Sequence, residues 1–434
     1  MGTPSADAVV IGAGPAGCAA ALGFALRGRR VLVLEADEPP SRRLAGEWIH
    51  PPGVGALRRL GVEVPPSRCA TGLGFVVFPE DGSPPISLPY ASGETALSCE
   101  HAALVTALRS AAARHPGIDL VTGRRVVGVG GTSVHHTGGP AGDAVESMGG
   151  WVVGADGRSS RLRRTLGLPG TDVPLSRMAG ILLADVTLPF EGYGHIFLGG
   201  PGPVLAYRLN RTSVRVCIDV PLSVRARELD ALITHRYTPW LPDPLRRELV
   251  TALSRGSPRW AANRFRPRAA YGRGRRALVG DAVGHFHPLT AVGMTLALLD
   301  GECLARCGTL QEYAAERRAH SRVPELLAEA LYGVFTGDDP GTRAIRQAVY
   351  EVWRCDPAER ARTMRLLAVE ETRLSQFAQA FLHVTAVALR QVGGSARAGH
   401  GVWEPLRALR GMSGWVGWLG GSAARSLVSR RPRD

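Results

Sequence analysis

Lysine is absent from this sequence. All 52 basic residues of the 434-residue chain are arginine, and asparagine occurs only at Asn210 and Asn263. A GC-rich coding sequence, which favours Arg, Ala, Gly and Pro codons, accounts for the bias. The chemical consequence is an exclusion. No Schiff base, pyridoxal phosphate lysine, Walker-type phosphate lysine or lysine general base can operate here. Cysteine is sparse as well: seven, an odd and scattered set (Cys18, Cys69, Cys99, Cys217, Cys303, Cys307, Cys355), suited to a reducing compartment rather than a disulfide framework. Acidic residues number 38, leaving a formal net charge of +14. Zinc-finger spacing, RNP-like strings and basic blocks with interleaved aromatics are all missing, so nucleic acid is not expected as a partner. No run of 18 apolar residues occurs, so no ordinary transmembrane span is expected. Residues 1–7 have neither a charged n-region nor an apolar h-region, which argues against a secretory leader.

What is present is the composition of a globular protein, 45% apolar and 21% charged, with length for two to three folding units. An apolar strand over 8–11 enters Gly12-Ala13-Gly14-Pro15-Ala16-Gly17, a helix of small residues over 18–27 follows, and a second strand over 31–34 ends at Glu35 and Ala36. This is a βαβ unit with the dinucleotide-binding pattern. Gly12 permits the tight turn, Gly14 lets backbone approach a pyrophosphate, and Gly17 lets helix pack on sheet. The helix N-terminus offers unpaired N–H groups and partial positive charge to the diphosphate. Glu35 is placed to accept hydrogen bonds from an adenosine ribose.

Further along, helices are expected over 53–60 and 100–114, and a Gly/Ser/His-rich β-meander over 128–150. The pair His135-His136 in that meander reads as a solvated turn rather than a metal site. Trp151-Val152-Val153-Gly154-Ala155-Asp156-Gly157-Arg158 is a strand ending in a turn. Alternation over 175–222 predicts strands of a substrate-covering sheet. A buried strand over 277–279 runs into Gly280-Asp281-Ala282, then through Pro288 and Gly293 to a helix over 294–305. The remainder, 310–434, is mostly helical, with a glycine-rich hinge over 391–400 and a Trp- and Arg-bearing segment over 403–428.

The three glycine signals, 12–17, 154–157 and 280–282, come in an order that resembles the group A flavoprotein monooxygenases, which share the fold of para-hydroxybenzoate hydroxylase. That resemblance implies FAD, with Asp281 on the ribitol chain and Asp156 with Arg158 at the pyrophosphate and a pyridine nucleotide. A narrower match follows. Gly280-Asp281-Ala282-Val283-Gly284-His285-Phe286-His287-Pro288-Leu289-Thr290-Ala291-Val292-Gly293-Met294-Thr295 resembles the squalene monooxygenase signature. Arg43-Leu44-Ala45-Gly46-Glu47-Trp48-Ile49-His50-Pro51-Pro52-Gly53 resembles that family's Arg-x-x-Gly-Glu-x-x-Gln-Pro-Gly-Gly, and 321–335 resembles its stretch beyond the flavin site. The resemblance spans 6–425. It implies that Arg43 holds cofactor phosphate or ribose, that Glu47 lies near the isoalloxazine entrance, and that Pro288, Gly293 and Met294 bring a helix N-terminus to flavin N1 and O2. The implied reaction uses reduced FAD and O2 to form a flavin C4a-hydroperoxide, whose distal oxygen passes to an alkene in a dry apolar cavity.

The chain departs from the family at His50, which replaces the Gln, and at Gly74 beside Phe75, where the Tyr that pairs with that Gln is expected. Val54 and Ala102 replace a second Gly and an Arg. His50, Glu47 and Phe75 are therefore the catalytic candidates. His285 and His287 have a metal-compatible spacing without a third ligand, so no metal is expected.

The expected architecture is α/β: a Rossmann-type FAD-binding domain (1–70, 98–170, 270–310), an interleaved β-sheet substrate domain (71–97, 171–269) and a helical C-terminal region (311–434). The last region is either an interfacial helix pair on an anionic membrane or a lid on the core. The expected function is FAD-dependent epoxidation of a hydrophobic isoprenoid or polyene. Electrons come from NAD(P)H directly or through a flavin or cytochrome reductase, in the cytoplasm or peripherally on the inner face of the membrane. An aromatic hydroxylase of phenolic, quinone-precursor or polyketide substrates and a prenyl-chain reductase are the alternatives. A halogenase is excluded by the missing lysine and the missing Trp-x-Trp-x-Ile-Pro string.

Overall fold

A computed structural model describes residues 6–41, 43–90, 93–138, 145–225, 228–256, 258–397, 410, 411, 414, 415 and 417. The first sheet is built on parallel pairing. Its strand β1 (Ala6–Ile11) lies between β2 (Val31–Leu34) and β11 (Val145–Gly154), β2 pairs with β8 (Ile118–Val121), and β11 pairs with β18 (Arg276–Leu278). The short β17 (Gly272–Arg273) closes that edge antiparallel, while β9 (Arg125–Gly130) and β10 (Ser133–Thr137) form the expected meander with β11. The central strands are apolar without alternation because helices cover the sheet. Helix α1 (Pro15–Ala25) is buried at ten of its eleven positions. It crosses α7 (Gly293–Arg306) so closely that a Cβ on Gly301 would press against the Ala20 backbone nitrogen and the Ala16 carbonyl oxygen. Small residues are what that crossing requires.

The second sheet has seven strands in the order β16 (Arg259–Phe265), β12 (Val173–Ala184), β15 (Ser213–Pro221), β14 (Val204–Arg208), β13 (Tyr193–Phe197), β5 (Gly74–Phe78), β6 (Ile86–Pro89). Strands from two distant stretches of chain thus share one sheet, with β13 and β5 parallel and the other pairs antiparallel. A small third sheet, β3 (Trp48–Ile49), β7 (Ala96–Cys99) and β4 (Cys69–Gly72), ties the two halves together. One face of the large sheet is covered by α5 (Leu229–Leu232) and α6 (Asp243–Arg255) over a core that includes Val214, Ile218 and Leu249. The opposite face shares a core with α8 (Leu310–Thr336), α9 (Pro340–Cys355), α10 (Pro357–Leu367) and α11 (Leu374–Arg397), where Phe75 and Met178 cluster with Val323, Ile345 and Phe377. Helices α2 (Pro51–Arg59), α3 (His101–Arg114) and α4 (Arg161–Thr165) flank the first sheet.

Two expectations shift. The hinge expected over 391–400 is helical as far as Arg397, because Val392 packs into the core and holds the turn around Gly393 and Gly394. Helix α1 begins at Pro15, inside the glycine motif, where the proline's missing N–H costs nothing. The 403–428 segment lies almost wholly outside the described residues. None of the described helices is long and apolar enough to cross a membrane.

Candidate functional site

A cavity of about 670 Å³ lies where the turns after β1, β11 and β18 meet the inner face of the second sheet. Gly12, Gly14, Pro15 and Ala16 form its floor at one end. Gly12 has φ +101°, and any side chain there would strike the Ala155 carbonyl oxygen. A Cβ on Gly17 would collide with the Gly12 carbonyl, whereas one on Gly14 would meet nothing within 4 Å, since Gly14 faces the void. The first turn of α1 has no side-chain cap, so its N–H groups stay available to a ligand.

Glu35 does more than the motif implies. One carboxylate oxygen accepts the Ala13 N–H at 2.6 Å, the other accepts the Asp37 N–H at 2.9 Å, and Arg109 pairs with it at 3.1 Å. Arg109 also donates to the carbonyls of Ala13, Asp37 and Glu38. Glu35 and Ala36 line the cavity, but much of the acid's bonding is spent on closing the glycine turn. Nothing in the local sequence marks Arg109, because only the packing of α3 brings it there.

The other two turns converge on the same void. Asp156 accepts the Arg161 and Leu162 N–H groups at 2.6 and 3.4 Å with Oδ2, while its buried Oδ1 has no partner. Arg158 stands 3.7 Å from Asp281, and both border the cavity. Gly280 adopts φ +61°, and the turn is clamped from behind by Asp300, which is fully buried. Asp300 accepts the Gly280 N–H at 2.8 Å, pairs with Arg317 at 2.7 Å and pairs with Arg268, which in turn donates to the Gly280 and Gly284 carbonyls at 3.2 Å. Asp300 and Arg268 belong to no motif, so the sequence reading missed them. Pro288–Thr290 form a single tight turn, Ala291 takes φ +54°, and α7 starts at Gly293 without a side-chain cap. Pro288, Gly293 and Met294 all line the cavity, as does Arg43 near its mouth.

The remaining walls come from the second sheet and the loop before it. Leu44, Trp48, Phe75, Met178, Leu205 and Tyr207 make them apolar and aromatic. Trp48 lies 5.1 Å from Phe75 and edge-on to Tyr207 at 6.1 Å. Glu47 also reaches the wall, but both of its oxygens are engaged: Arg215 binds them bidentately at 2.8 Å each, and the Tyr207 hydroxyl donates at 3.1 Å. Burial pushes Tyr207 well above its ordinary value and the nearby Cys217 up to about 12, so both stay protonated.

His50 stands elsewhere. This catalytic candidate is fully buried and does not border the cavity, so it reaches the site through its hydrogen-bond partners. Burial lowers its pKa to about 4, against the raising effect of its bond to the Thr290 carbonyl at 2.9 Å. The ring is therefore neutral with the proton on Nε2, and Nδ1 accepts from the Tyr90 hydroxyl at 2.9 Å. Tyr90 accepts in turn from Trp48 Nε1 at 3.0 Å. One directional chain thus joins the aromatic wall to the loop before α7. The hydroxyl absent at Gly74 is supplied from the next strand, since Gly74 pairs with Pro89 and Tyr90 follows it. No spacing rule predicts that exchange.

A second buried network lies on the opposite wall. Asp219 accepts from Ser176, from Asn263 at 2.9 Å, from His287 Nε2 at 3.0 Å and from Tyr332 at 3.3 Å. His287 is fixed in that tautomer because its Nδ1 accepts the Leu289 N–H at 3.2 Å. Its ring stacks on Tyr332 at 3.9 Å. The network joins three strands of the sheet to the Pro288 turn and to α8.

A profile of the squalene epoxidase family matches residues 150–400, and one of FAD dependent oxidoreductases matches residues 7–63. The squalene epoxidase erg1 of Aspergillus fumigatus is 31% identical over 393 residues, covering 80% of this chain and 79% of its own. The mitochondrial squalene epoxidase 2 of Arabidopsis thaliana is 30% identical over 378 residues, covering 80% and 63%. Among solved structures, a p-nitrophenol 4-monooxygenase of Pseudomonas putida DLL-E4 superposes with TM-score 0.69 at 22% identity, over 85% of this chain and all of that one. A flavoprotein/dehydrogenase of Cytophaga hutchinsonii superposes with TM-score 0.73 at 17% identity, over 89% and 100%. These neighbours show the fold to be that of the FAD-dependent monooxygenases, with a Rossmann-type cofactor half and an interleaved sheet.

Proposed function

The chain belongs to the squalene epoxidase family, an FAD-dependent monooxygenase that epoxidises an alkene, and we propose that its substrate is a hydrophobic isoprenoid or polyene. The observation that carries the substrate class is the aromatic and aliphatic wall facing the cofactor end of one continuous cavity. FAD fits what is there. A glycine floor leaves room for a diphosphate, two uncapped helix starts face the void, and the buried Asp156 Oδ1 lacks a partner. In this reading Gly12, Gly14, Pro15, Ala16 and Gly17 cradle the diphosphate, with Glu35 and Ala36 at the adenosine side. Arg43, Asp156, Arg158 and Asp281 take its sugars and phosphates, and Pro288, Gly293 and Met294 border the ring.

When bound and reduced, FAD would supply the two electrons that let one atom of O2 enter the substrate while the other leaves as water. The chain does the rest. The N–H groups at the start of α7 stabilise negative charge at the ring's edge, a task done here without lysine. Phe75, Trp48 and Met178 exclude water and hold an apolar chain against the ring. Both Glu47 oxygens are engaged by Arg215, and one also by Tyr207, so its role is to fix Tyr207 and pin the sheet to the loop that carries Trp48. His50, through Tyr90, holds Trp48 in register with the Thr290 turn. A reductase is the typical electron source in this family, and the proposal extends to peripheral contact with the inner face of a membrane, supported by Leu382 and Leu389 exposed on α11.

The test is anaerobic photoreduction of the yellow protein, followed by oxygen with squalene, other polyprenyls or phenols, and product masses. A polyprenyl that gains one oxygen as an oxirane is expected. If only a phenol gains oxygen, the proposal fails.

A further inference from the structure

Two thiols that the oxygenation chemistry leaves unused stand at the far end of α7 from the cavity. Cys303 is 3% exposed and Cys307 half-buried; four residues apart, they share one face of the last turn. Their sulfurs are 3.9 Å apart. A carboxylate oxygen of Glu316, on α8, joins them, and all three atoms lie within 4.8 Å of one another.

The corner that carries them is held rigidly. The Cys307 N–H donates to the Cys303 carbonyl at 3.1 Å and closes the helix. Glu312 accepts the Gly308 and Thr309 N–H groups at 2.9 and 3.3 Å, and the Thr309 hydroxyl accepts the Glu312 N–H at 3.2 Å, so α8 leaves the corner in one direction. Arg306 holds Oε1 of Glu316 at 2.5 Å and fixes that carboxylate beside the sulfurs.

The sulfur spacing separates the uses open to the pair. A thiol–thiol hydrogen bond is weak and does not set a geometry. A disulfide needs Cβ atoms about 3.5–4.5 Å apart, whereas residues four apart on a helix hold theirs at about 5–6 Å. Tetrahedral zinc, with Zn–S bonds of about 2.3 Å, sets its sulfurs about 3.8 Å apart. Sulfur and oxygen on one zinc stand about 3.5 Å apart, within reach of a carboxylate rotation. Charge agrees as well: zinc, two thiolates and one carboxylate sum to a single negative charge, which Arg306 cancels. Magnesium and calcium prefer all-oxygen sets.

We propose that Cys303, Cys307 and Glu316 bind one zinc ion, with water as the fourth ligand, stapling α7 to α8. Burial raises both thiols, so each keeps its proton until zinc displaces it to solvent. The partly exposed Cys307 and Glu316 give the metal its entry. The staple bears on the cofactor half through packing. Asp300 of α7 clamps the Gly280 turn, and Arg317, next to Glu316 on α8, pairs with Asp300 at 2.7 Å. Nothing in the site depends on which substrate the cavity takes.

The test uses tag-free, FAD-loaded enzyme kept under a non-thiol reductant, stripped with a chelator and titrated with zinc against a chromophoric chelator. We expect one zinc per chain and a melting temperature raised by about 3 °C at free zinc about 100 times its Kd. Bound zinc should shield Cys307 from alkylation, read by mass, while the exposed Cys355 reacts as before. Cys307→Ser and Glu316→Gln should each weaken zinc at least about tenfold, with FAD content and circular dichroism unchanged, whereas Cys355→Ser has no effect. Cobalt in place of zinc should give thiolate charge-transfer absorption and tetrahedral d–d bands in the red, beyond the flavin's absorption, both lost in Cys307→Ser. No zinc binding, or binding that both variants leave intact, overturns the proposal. So does alkylation of Cys307 that bound zinc does not slow. A Cys303–Cys307 disulfide in the enzyme as isolated also overturns it, by making the pair a redox couple.

Discussion

Replacing Arg215 with Met tests the buried ion pair that joins the substrate sheet to the loop carrying Trp48. Glu47 and Arg215 have side chains only 3% and 4% exposed, and the guanidinium supplies two of the three hydrogen bonds the carboxylate receives. Removing it strands a buried carboxylate with Tyr207 alone. Breaking a buried pair in this way costs about 3–5 kcal/mol. Unfolding entropy of about 2.1 cal/mol/K per residue gives about 0.9 kcal/mol per degree for a chain of this length, so the melting temperature should fall by roughly 3–6 °C. Adding Glu47→Gln to Arg215→Met removes both charges, keeps an oxygen for Tyr207 and should restore more than half of the deficit. Thermal unfolding of the FAD-loaded variants by circular dichroism measures all of this. A single variant that loses less than about 1 kcal/mol, or a double variant no more stable than the single, refutes the reasoning.

Acid should destabilise the fold steeply. Burial holds His50, His101 and His195 near pKa 4, below the ordinary value of 6.5, so the unfolded chain binds their protons first. The stability they contribute is complete above pH 6.5 and is lost as pH falls towards 4, at up to roughly 4 kcal/mol per pH unit for three protons. Denaturant titrations across that window check the slope, and a flat profile contradicts it. The two glycines of the first turn should separate stability from binding. Gly14→Ala meets no protein atom, so it should leave apoprotein melting within about 1 °C while weakening FAD at least about tenfold. Gly17→Ala, which collides with the Gly12 carbonyl, should destabilise the apoprotein itself.

The glycine turns were legible because their cause is local. A left-handed φ at Gly12 or Gly280 demands glycine wherever the rest of the chain goes, and three such turns in order specify a flavin fold. The apolar strands feeding them were legible for a similar reason, since burial on both faces removes alternation. The place of His50 was not legible, because substitution at a motif position says nothing about depth, and the residue lies one layer behind the wall. Tyr90 went unnoticed because its partner is set by strand register, not by distance along the chain.

What the sequence determined by itself is therefore the cofactor half: the turns, their order and the family they announce. The tertiary structure alone decided which charges meet. Glu47 and Arg215 are 168 residues apart, Asp300 gathers Arg268 and Arg317 behind the Gly280 turn, and five arginines from two stretches of chain share one concavity. Electrostatic interaction depends on separation and burial in space, and neither is written in the spacing of residues along a chain.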